Sequence, residues 1–225
     1  RARVLLAVVA SVRAAVGPYF PVAVKLNSAD FQKGGFAFEE SLQVAQWLQE
    51  ASIDLIEISG GTYEQPKLLG LSGMEEEEKQ NVAESTLMRE AYFVDFAVAM
   101  GEKVNVPLMV TGGFRQRAAM EQALQSGSAD VIGLGRPMCV MTDAPNQLIN
   151  GLDELPRYED SLSLFPKWLA WLGNLKILKA VAGFAVQYWY YGQIDAIGRT
   201  GSANSKLTVF QATKQTMALQ KELTR

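Results

Sequence analysis

The chain has 225 residues, of which 48% are hydrophobic and 20% charged, a composition typical of a folded globular protein. A net charge of −3 provides no basic surface, so we expect no nucleic-acid partner. Histidine is absent, which excludes a Ser-His or Cys-His catalytic pair and any histidine-ligated metal within the chain. We predict no metal site.

The single cysteine, Cys139, makes a disulfide within the chain impossible and predicts a reducing, cytoplasmic location. It follows a tight turn beside apolar residues, and we interpret it as a buried structural thiol rather than a nucleophile. No signal peptide is visible, because Arg1 stands inside a helical pattern. A sequence that starts without methionine in mid-helix is expected to be a fragment of a longer chain.

The first sixty residues predict two strand–helix pairs. Apolar residues at helical spacing predict a helix over residues 4–16 that ends at Gly17 and Pro18. A short apolar strand is predicted over residues 22–26. After a loop at residues 28–37, a helix over residues 38–51 and a strand over residues 54–59 follow.

Two charged residues lie inside these predicted strands. Lys25 is unusual there because a desolvated charge needs a partner. Either its ammonium reaches out to solvent, or it meets an anionic or electron-rich ligand at the strand end. We favour the ligand. Glu57 is likewise expected to face a polar partner within a barrel.

A long connection over residues 62–84 separates this part from a predicted helix over residues 85–100. A connection of that length in a compact domain is usually functional or mobile. It contains four consecutive glutamates, at positions 75–78. We interpret them as a solvated face or a helix start rather than as a metal site.

The stretch 107–137 predicts a compact strand–helix–strand unit. Residues 108–110 and 131–134 are short apolar runs typical of buried strands, and residues 117–126 have helical spacing. Gly112 and Gly113 follow the first strand, and Gly133, Gly135 and Arg136 form the turn after the second. Glycines at the carboxyl ends of parallel strands let backbone N–H groups approach an oxyanion, and an arginine adds a positively charged guanidinium with paired N–H donors. The two turns together predict one phosphate site, although such glycine pairs are also common turn chemistry.

The last third of the chain has a different character. Residues 165–191 are rich in aromatic residues with interspersed lysines, which argues against a membrane span and favours an amphipathic helix or helix pair. We favour packing on the protein itself over contact with a membrane surface. A polar linker over residues 192–205 and a final helix over residues 207–223 are predicted.

Four strand–helix units in sequence predict an α/β fold with a parallel sheet. Four units are half of an eight-stranded TIM barrel. We therefore predict a half-barrel over residues 1–150 and a helical extension over residues 151–225.

Four strand motifs carry a resemblance to a known family. VAVKLN, LIEISGGTYE, PLMVTGGF and VIGLGRP, in this order, resemble the second half of the Old Yellow Enzyme family of NADH:flavin oxidoreductases. The resemblance covers roughly residues 1–150. It implies that the four strands are strands five to eight of an FMN-binding TIM barrel, which reduces activated alkenes with hydride from NAD(P)H.

The resemblance also implies residue roles. Lys25 falls where the family places a basic residue against the flavin, where it would stabilise negative charge on the reduced ring. Gly112, Gly113, Gly135 and Arg136 match positions that hold the FMN phosphate, and Gly133 belongs to the same turn. The family's substrate-anchoring His-Asn or His-His pair and its proton-donating tyrosine belong to the half that this sequence lacks.

Three functions remain open from the sequence. The first is an FMN-dependent oxidoreductase of the ene-reductase type, seen as its C-terminal half and inactive alone. The second is a non-catalytic half-barrel that binds a phosphate ligand or a partner chain. The third is another FMN barrel, such as an α-hydroxy-acid oxidase, whose histidine base should appear in this half. The substrate, the choice between NADH and NADPH, and the oligomeric state are not indicated.

Overall fold

The computed structural model describes residues 2–30, 34–59, 84–164 and 176–223, which divide into two compact units. The described residues up to Leu134 form the first unit, and those from Gly135 onward form the second. The predicted domain boundary after residue 150 stays a prediction.

The first unit is a parallel sheet with a helix before and between its strands. Its four strands are β1 (Ala23–Asn27), β2 (Leu55–Ser59), β3 (Leu108–Thr111) and β4 (Val131–Gly133). They pair in parallel in the order β1-β2-β3-β4. The helices are α1 (Arg3–Val16), α2 (Phe38–Glu50), α3 (Glu84–Gly101) and α4 (Arg117–Gln125). The predicted α/β class and the parallel sheet are confirmed, with strand ends shifted by at most one residue.

Alternation along the strands separates a buried face from an open one. The buried face consists of Val24, Leu26, Ile56, Ile58, Leu108 and Val110. Helices α2, α3 and α4 contact the strands, and a fully buried side chain of this size contributes about 1.5–3 kcal/mol. The opposite face carries the intervening residues, among them Lys25, Glu57 and Met109, all at least partly exposed.

Helix α1 leaves most of its apolar face exposed among the described residues. Of its predicted apolar face only Val9 is buried, whereas Val4, Val8, Val12 and Val16 are exposed. The helix ends where expected, at Gly17, whose φ of 85° favours glycine. The apolar spacing of α1 therefore marks a surface that the described residues of this chain leave uncovered.

An ion pair at the amino ends of the strands ties α1 to the sheet. Arg13 Nη2 lies 2.5 Å from Asp54 Oδ2, and the same oxygen accepts the Val22 N–H at 2.7 Å. The Val22 hydrogen bond, followed by the Arg13 guanidinium, lowers the pKa of Asp54. This cluster lies at the end of the sheet opposite the glycine turns.

The second unit is helical. It contains a 3-10 helix (Arg136–Cys139), α5 (Ala144–Ile149), a second 3-10 helix (Tyr158–Ser161), α6 (Lys176–Thr200) and α7 (Val209–Leu223). Helices α6 and α7 pack on each other. Their core consists of Ala185, Trp189, Tyr190, Val209 and Ala212. Trp189 Nε1 donates to the Leu207 carbonyl at 2.8 Å, so the indole is buried with its polar atom satisfied.

The predicted linker over residues 192–205 is wrong in its first half, because α6 continues to Thr200. Gly192 does not break the helix there; a Cβ at this position would lie 2.5 Å from Leu207 Cδ2, so glycine permits close packing. The fully buried Gln193 exchanges two hydrogen bonds with the backbone of Asn204, at 3.0 and 2.7 Å. This pairing fixes the turn between α6 and α7.

Some predictions fall on residues outside the described ranges. These include most of the connection 62–84 with its four glutamates, and residues 165–175 of the aromatic segment. The remainder of that segment, residues 176–191, belongs to α6. In the parts of the chain that the structure describes, no helix is both long and apolar enough to cross a membrane.

Candidate functional site

The open face of the sheet carries a charged pair between β1 and β2. Lys25 on β1 is in register with Glu57 on β2, and Lys25 Nζ lies 2.5 Å from Glu57 Oε1. The lysine side chain is 55% exposed and the glutamate 22%. Glu57 is in turn in register with Met109 on β3, and Met109 with Val131 on β4. The expected polar partner of Glu57 is therefore Lys25, and the contact of Lys25 with a ligand stays a prediction.

The next layer toward the carboxyl ends is polar. Asn27 pairs in register with Ser59, and the Ser59 hydroxyl donates to Asn27 Oδ1 at 3.1 Å. Asn27 Nδ2 donates to Asp30 Oδ1 at 3.2 Å. On the neighbouring strand, Thr111 Oγ1 is buried without a hydrogen-bond partner among the described residues. A buried hydroxyl in this state can still donate to or accept from a ligand.

Sequence reasoning did not single out Asn27, Ser59 or Thr111 as site residues. The signal was present, since three of the four strand motifs reach a polar residue at the strand end, in KLN, EIS and MVT. Their common orientation depends on register, which places these three positions on the same face as Lys25 and Glu57.

The turn after β3 requires its two glycines. Gly112 has a φ of 143° and Gly113 a φ of 77°, a backbone path that side chains disfavour. A Cβ on Gly112 would also lie 3.0 Å from the ring of Phe93. The predicted glycine-dependent turn is thus present at a strand's carboxyl end, and its role toward a phosphate stays a prediction.

The two glycines after β4 differ from each other. A Cβ on Gly133 would overlap Thr111 Oγ1, so this glycine makes room for the threonine on the paired strand. Gly135 has a φ of −99°, and no described atom lies within 4 Å of its Cβ position. Gly133 therefore has a packing role, whereas no packing among the described residues requires glycine at position 135.

Arg136 lies in the second unit, where a carboxylate faces it. Arg136 Nη1 is 3.5 Å from Glu159 Oε1, and the arginine side chain is 50% exposed. Glu159 Oε2 accepts the Tyr190 hydroxyl at 2.8 Å. Neither Glu159 nor Tyr190 was predicted, because the contacts join residues far apart in sequence. Glu159 lies 23 residues after Arg136, and Tyr190 lies 31 residues after Glu159.

Cys139, one turn beyond Arg136, packs against the α6–α7 core. Burial raises the pKa of its thiol, and the nearby Arg136 charge offsets this only in part. A raised pKa disfavours the nucleophilic thiolate, which agrees with the interpretation of a structural thiol. In the described ranges no group of three Cys, Asp or Glu residues is arranged to hold a metal ion.

The chain was compared with known proteins. It is 32% identical over 203 residues to the NADH-dependent flavin oxidoreductase iccE of Talaromyces variabilis, which covers 89% of this chain and 48% of that protein. It is 38% identical over 141 residues to iliE of Neonectria sp. (strain DH2), also an NADH-dependent flavin oxidoreductase, covering 62% of this chain and 18% of the relative. The chain thus spans about half or less of the length of these curated relatives.

A solved structure of a 2-naphthoyl-CoA reductase in complex with 2-naphthoyl-CoA has the same fold over 67% of this chain and 21% of its own. The TM-score is 0.55 and the identity 24%. The family model described as "NADH:flavin oxidoreductase / NADH oxidase family" matches residues 1–154. The resemblance to the Old Yellow Enzyme family is confirmed, together with a flavin cofactor, FMN: the chain belongs to the NADH:flavin oxidoreductase / NADH oxidase family.

Proposed function

We propose that the full-length protein is an FMN-dependent oxidoreductase that transfers hydride from NAD(P)H through the flavin to an electron-poor alkene. In this proposal the chain supplies strands five to eight of a (β/α)8 barrel and the helical extension. The observation that carries the proposal is the open, polar sheet face, which ends in a glycine-dependent turn, in a chain of this family.

Three features of the first unit support the half-barrel. Strands β1 and β4 are both edge strands of the described sheet, and a closed barrel has no edges. The open face also carries residues in register, Lys25 with Glu57 and Glu57 with Met109, as inward-pointing layers of a barrel do. The exposed valines of α1 fit a helix that packs against a preceding strand–helix unit.

The residues present fit a flavin bound over the carboxyl ends of the strands. In this position the Lys25 ammonium would stabilise negative charge on the reduced ring. Asn27, Ser59 and the unpartnered Thr111 hydroxyl offer polar contacts one layer farther along. When bound, the flavin supplies the hydride relay between NAD(P)H and the substrate.

We propose that Gly112, Gly113, Gly133, Gly135 and Arg136 form the cofactor's phosphate site. Thr111 and Gly133 are paired, so the two turns leave the sheet from adjacent positions. The backbone at Gly112 and Gly113 adopts positive φ, a conformation found where successive N–H groups bind anions. A side chain at position 135 would meet no described atom beyond its chain neighbours, which leaves space for a ligand to approach the backbone closely.

Titration of FMN and riboflavin into the full-length protein tests the phosphate assignment. Arg136→Ala should weaken FMN binding by roughly 10- to 100-fold, because a hydrogen bond to a charged group contributes about 1.5–3 kcal/mol. Riboflavin lacks the phosphate and should bind almost unchanged. Arg157→Ala is a matched control, since this arginine pairs with Glu154 on the same unit. Equal losses for the two ligands in Arg136→Ala would refute the assignment.

Anaerobic reduction separates the enzyme from the non-catalytic alternative. NADH or NADPH should bleach the bound flavin of the full-length protein, and an electron-poor alkene such as 2-cyclohexen-1-one should restore its colour. A flavin that neither nucleotide reduces would favour a binding module. Reduction without reoxidation by the alkene would retain the oxidoreductase and refute the ene-reductase type.

A further inference from the structure

We propose that Glu159 and Tyr190 are positioning residues that hold Arg136 for the cofactor phosphate. This inference rests on the proposed role of Arg136 in FMN binding. It assigns a function to the helical extension, because Glu159 lies in the 3-10 helix Tyr158–Ser161 and Tyr190 lies in α6.

The three side chains become more exposed in the order Tyr190, Glu159, Arg136. The Tyr190 side chain belongs to the α6–α7 core and is 5% exposed. Its ring stacks edge-to-face on Trp189 with a centroid distance of 5.2 Å, and its hydroxyl donates to Glu159 Oε2 at 2.8 Å. A buried phenol fixed on two sides gives the Glu159 carboxylate a defined place.

The other carboxylate oxygen faces the arginine. Glu159 Oε1 lies 3.5 Å from Arg136 Nη1, with Glu159 22% and Arg136 50% exposed. A long side chain at a half-exposed position samples many rotamers, and ordering it on binding lowers affinity. A carboxylate that selects one orientation beforehand reduces this loss. A guanidinium has five N–H donors, so one arginine can contact a carboxylate and a phosphate together.

The packing of the unit supports a role beyond surface charge. Helix α6 contacts the 3-10 helix that begins with Arg136. Cys139 at the end of that 3-10 helix, Val140 after it, and Tyr158, which precedes Glu159, all pack against the same core. The backbone on both sides of the ion pair is therefore attached to α6, so the pair is held by the core and not only by its own attraction.

The test measures FMN and riboflavin affinities side by side in the full-length protein. Glu159→Ala should weaken FMN binding about two- to fivefold, the size of a partly exposed ion pair, and leave riboflavin unchanged. Tyr190→Phe keeps the ring and should weaken FMN about twofold. Glu154→Ala and Tyr191→Phe are matched controls, because Glu154 pairs with Arg157 and the Tyr191 hydroxyl accepts from Gln187.

A positioning role also predicts coupling. In an Arg136→Ala background, Glu159→Ala should no longer change the ratio of FMN to riboflavin affinity. If Arg136→Ala is selective for FMN but Glu159→Ala and Tyr190→Phe leave that ratio unchanged, the positioning role is refuted and the phosphate site stands. Tighter FMN binding in Glu159→Ala would show a competing carboxylate and equally refute it. If Arg136→Ala is not selective, the proposed phosphate site itself fails.

Discussion

The Lys25–Glu57 pair offers a direct test of where the flavin binds. Glu57→Gln keeps the shape of the side chain and a hydrogen-bond acceptor but removes the negative charge beside Lys25 Nζ, 2.5 Å away. With Glu57 in place, the electrostatic effect of the Lys25 charge on a more distant group is partly cancelled by the carboxylate. Without it, the lysine acts as a full positive charge, which favours the negatively charged reduced flavin. We therefore expect a higher reduction potential in Glu57→Gln.

The magnitude follows from Coulomb's law. A unit charge about 8–15 Å from the ring contributes about 1–2 kcal/mol at an effective dielectric constant of about 20. For a two-electron couple this corresponds to about 20–45 mV. The lysine side chain is 55% exposed, so solvent screening favours the lower end of this range. The same exposure limits the pair's contribution to folding to about 1 kcal/mol, so the variants should fold.

Equilibration with redox dyes under anaerobic conditions measures the potential in the full-length protein. Lys25→Met should lower it, and the double variant, which lacks both charges, should shift it less than Lys25→Met does. Glu121→Gln is a matched control, because this carboxylate pairs with Arg117 on α4. An unchanged or lowered potential in Glu57→Gln would refute the placement of the flavin beside this pair.

Three further predictions concern folding and reactivity. The folded structure lowers the pKa of Asp54, so the contribution of this carboxylate to stability is present above its ordinary pKa of about 3.9 and is lost as the pH falls through the folded value. Asp54→Asn should therefore flatten the acid side of a plot of stability against pH, and an unaltered plot would contradict this. Burial raises the pKa of Cys139, so iodoacetamide should modify it more slowly than an unfolded control at neutral pH, and equal rates would exclude the shift. Trp189→Ala removes a buried indole and its bond to Leu207, and urea unfolding should show a loss of about 3–5 kcal/mol; a loss below about 1 kcal/mol would argue against the α6–α7 core.

Local sequence determined the elements of the sheet and their ends. Short apolar runs predicted all four strands because a buried parallel strand needs little more than consecutive apolar residues. Gly17 and the glycines at positions 112 and 113 were readable because positive φ is a local demand that few other residues meet. Family membership was predictable from four ordered motifs, and the match over residues 1–154 confirms it.

Local patterns were less informative where packing overrides them. A polar linker was predicted from Gly192 onward, yet α6 continues to Thr200, and Leu207 occupies the space that a side chain at position 192 would need. The spacing of α1 predicted an amphipathic helix, and most of its apolar face is exposed among the described residues. Helical periodicity indicates that a face is apolar, and it does not indicate what covers that face.

Only the tertiary structure decided which side chains meet. Lys25 and Glu57 were both noticed as charges within strands, but their pairing follows from the register of β1 on β2 across 32 positions. Asn27, Ser59 and Thr111 became a layer through the same register. Arg136 pairs with Glu159 of a distant 3-10 helix, and that glutamate accepts a hydrogen bond from Tyr190 of α6. Composition and spacing determine which segments are strands or helices, because those preferences are local. Side-chain partners depend on contacts between segments far apart in sequence, which only the packed chain brings together.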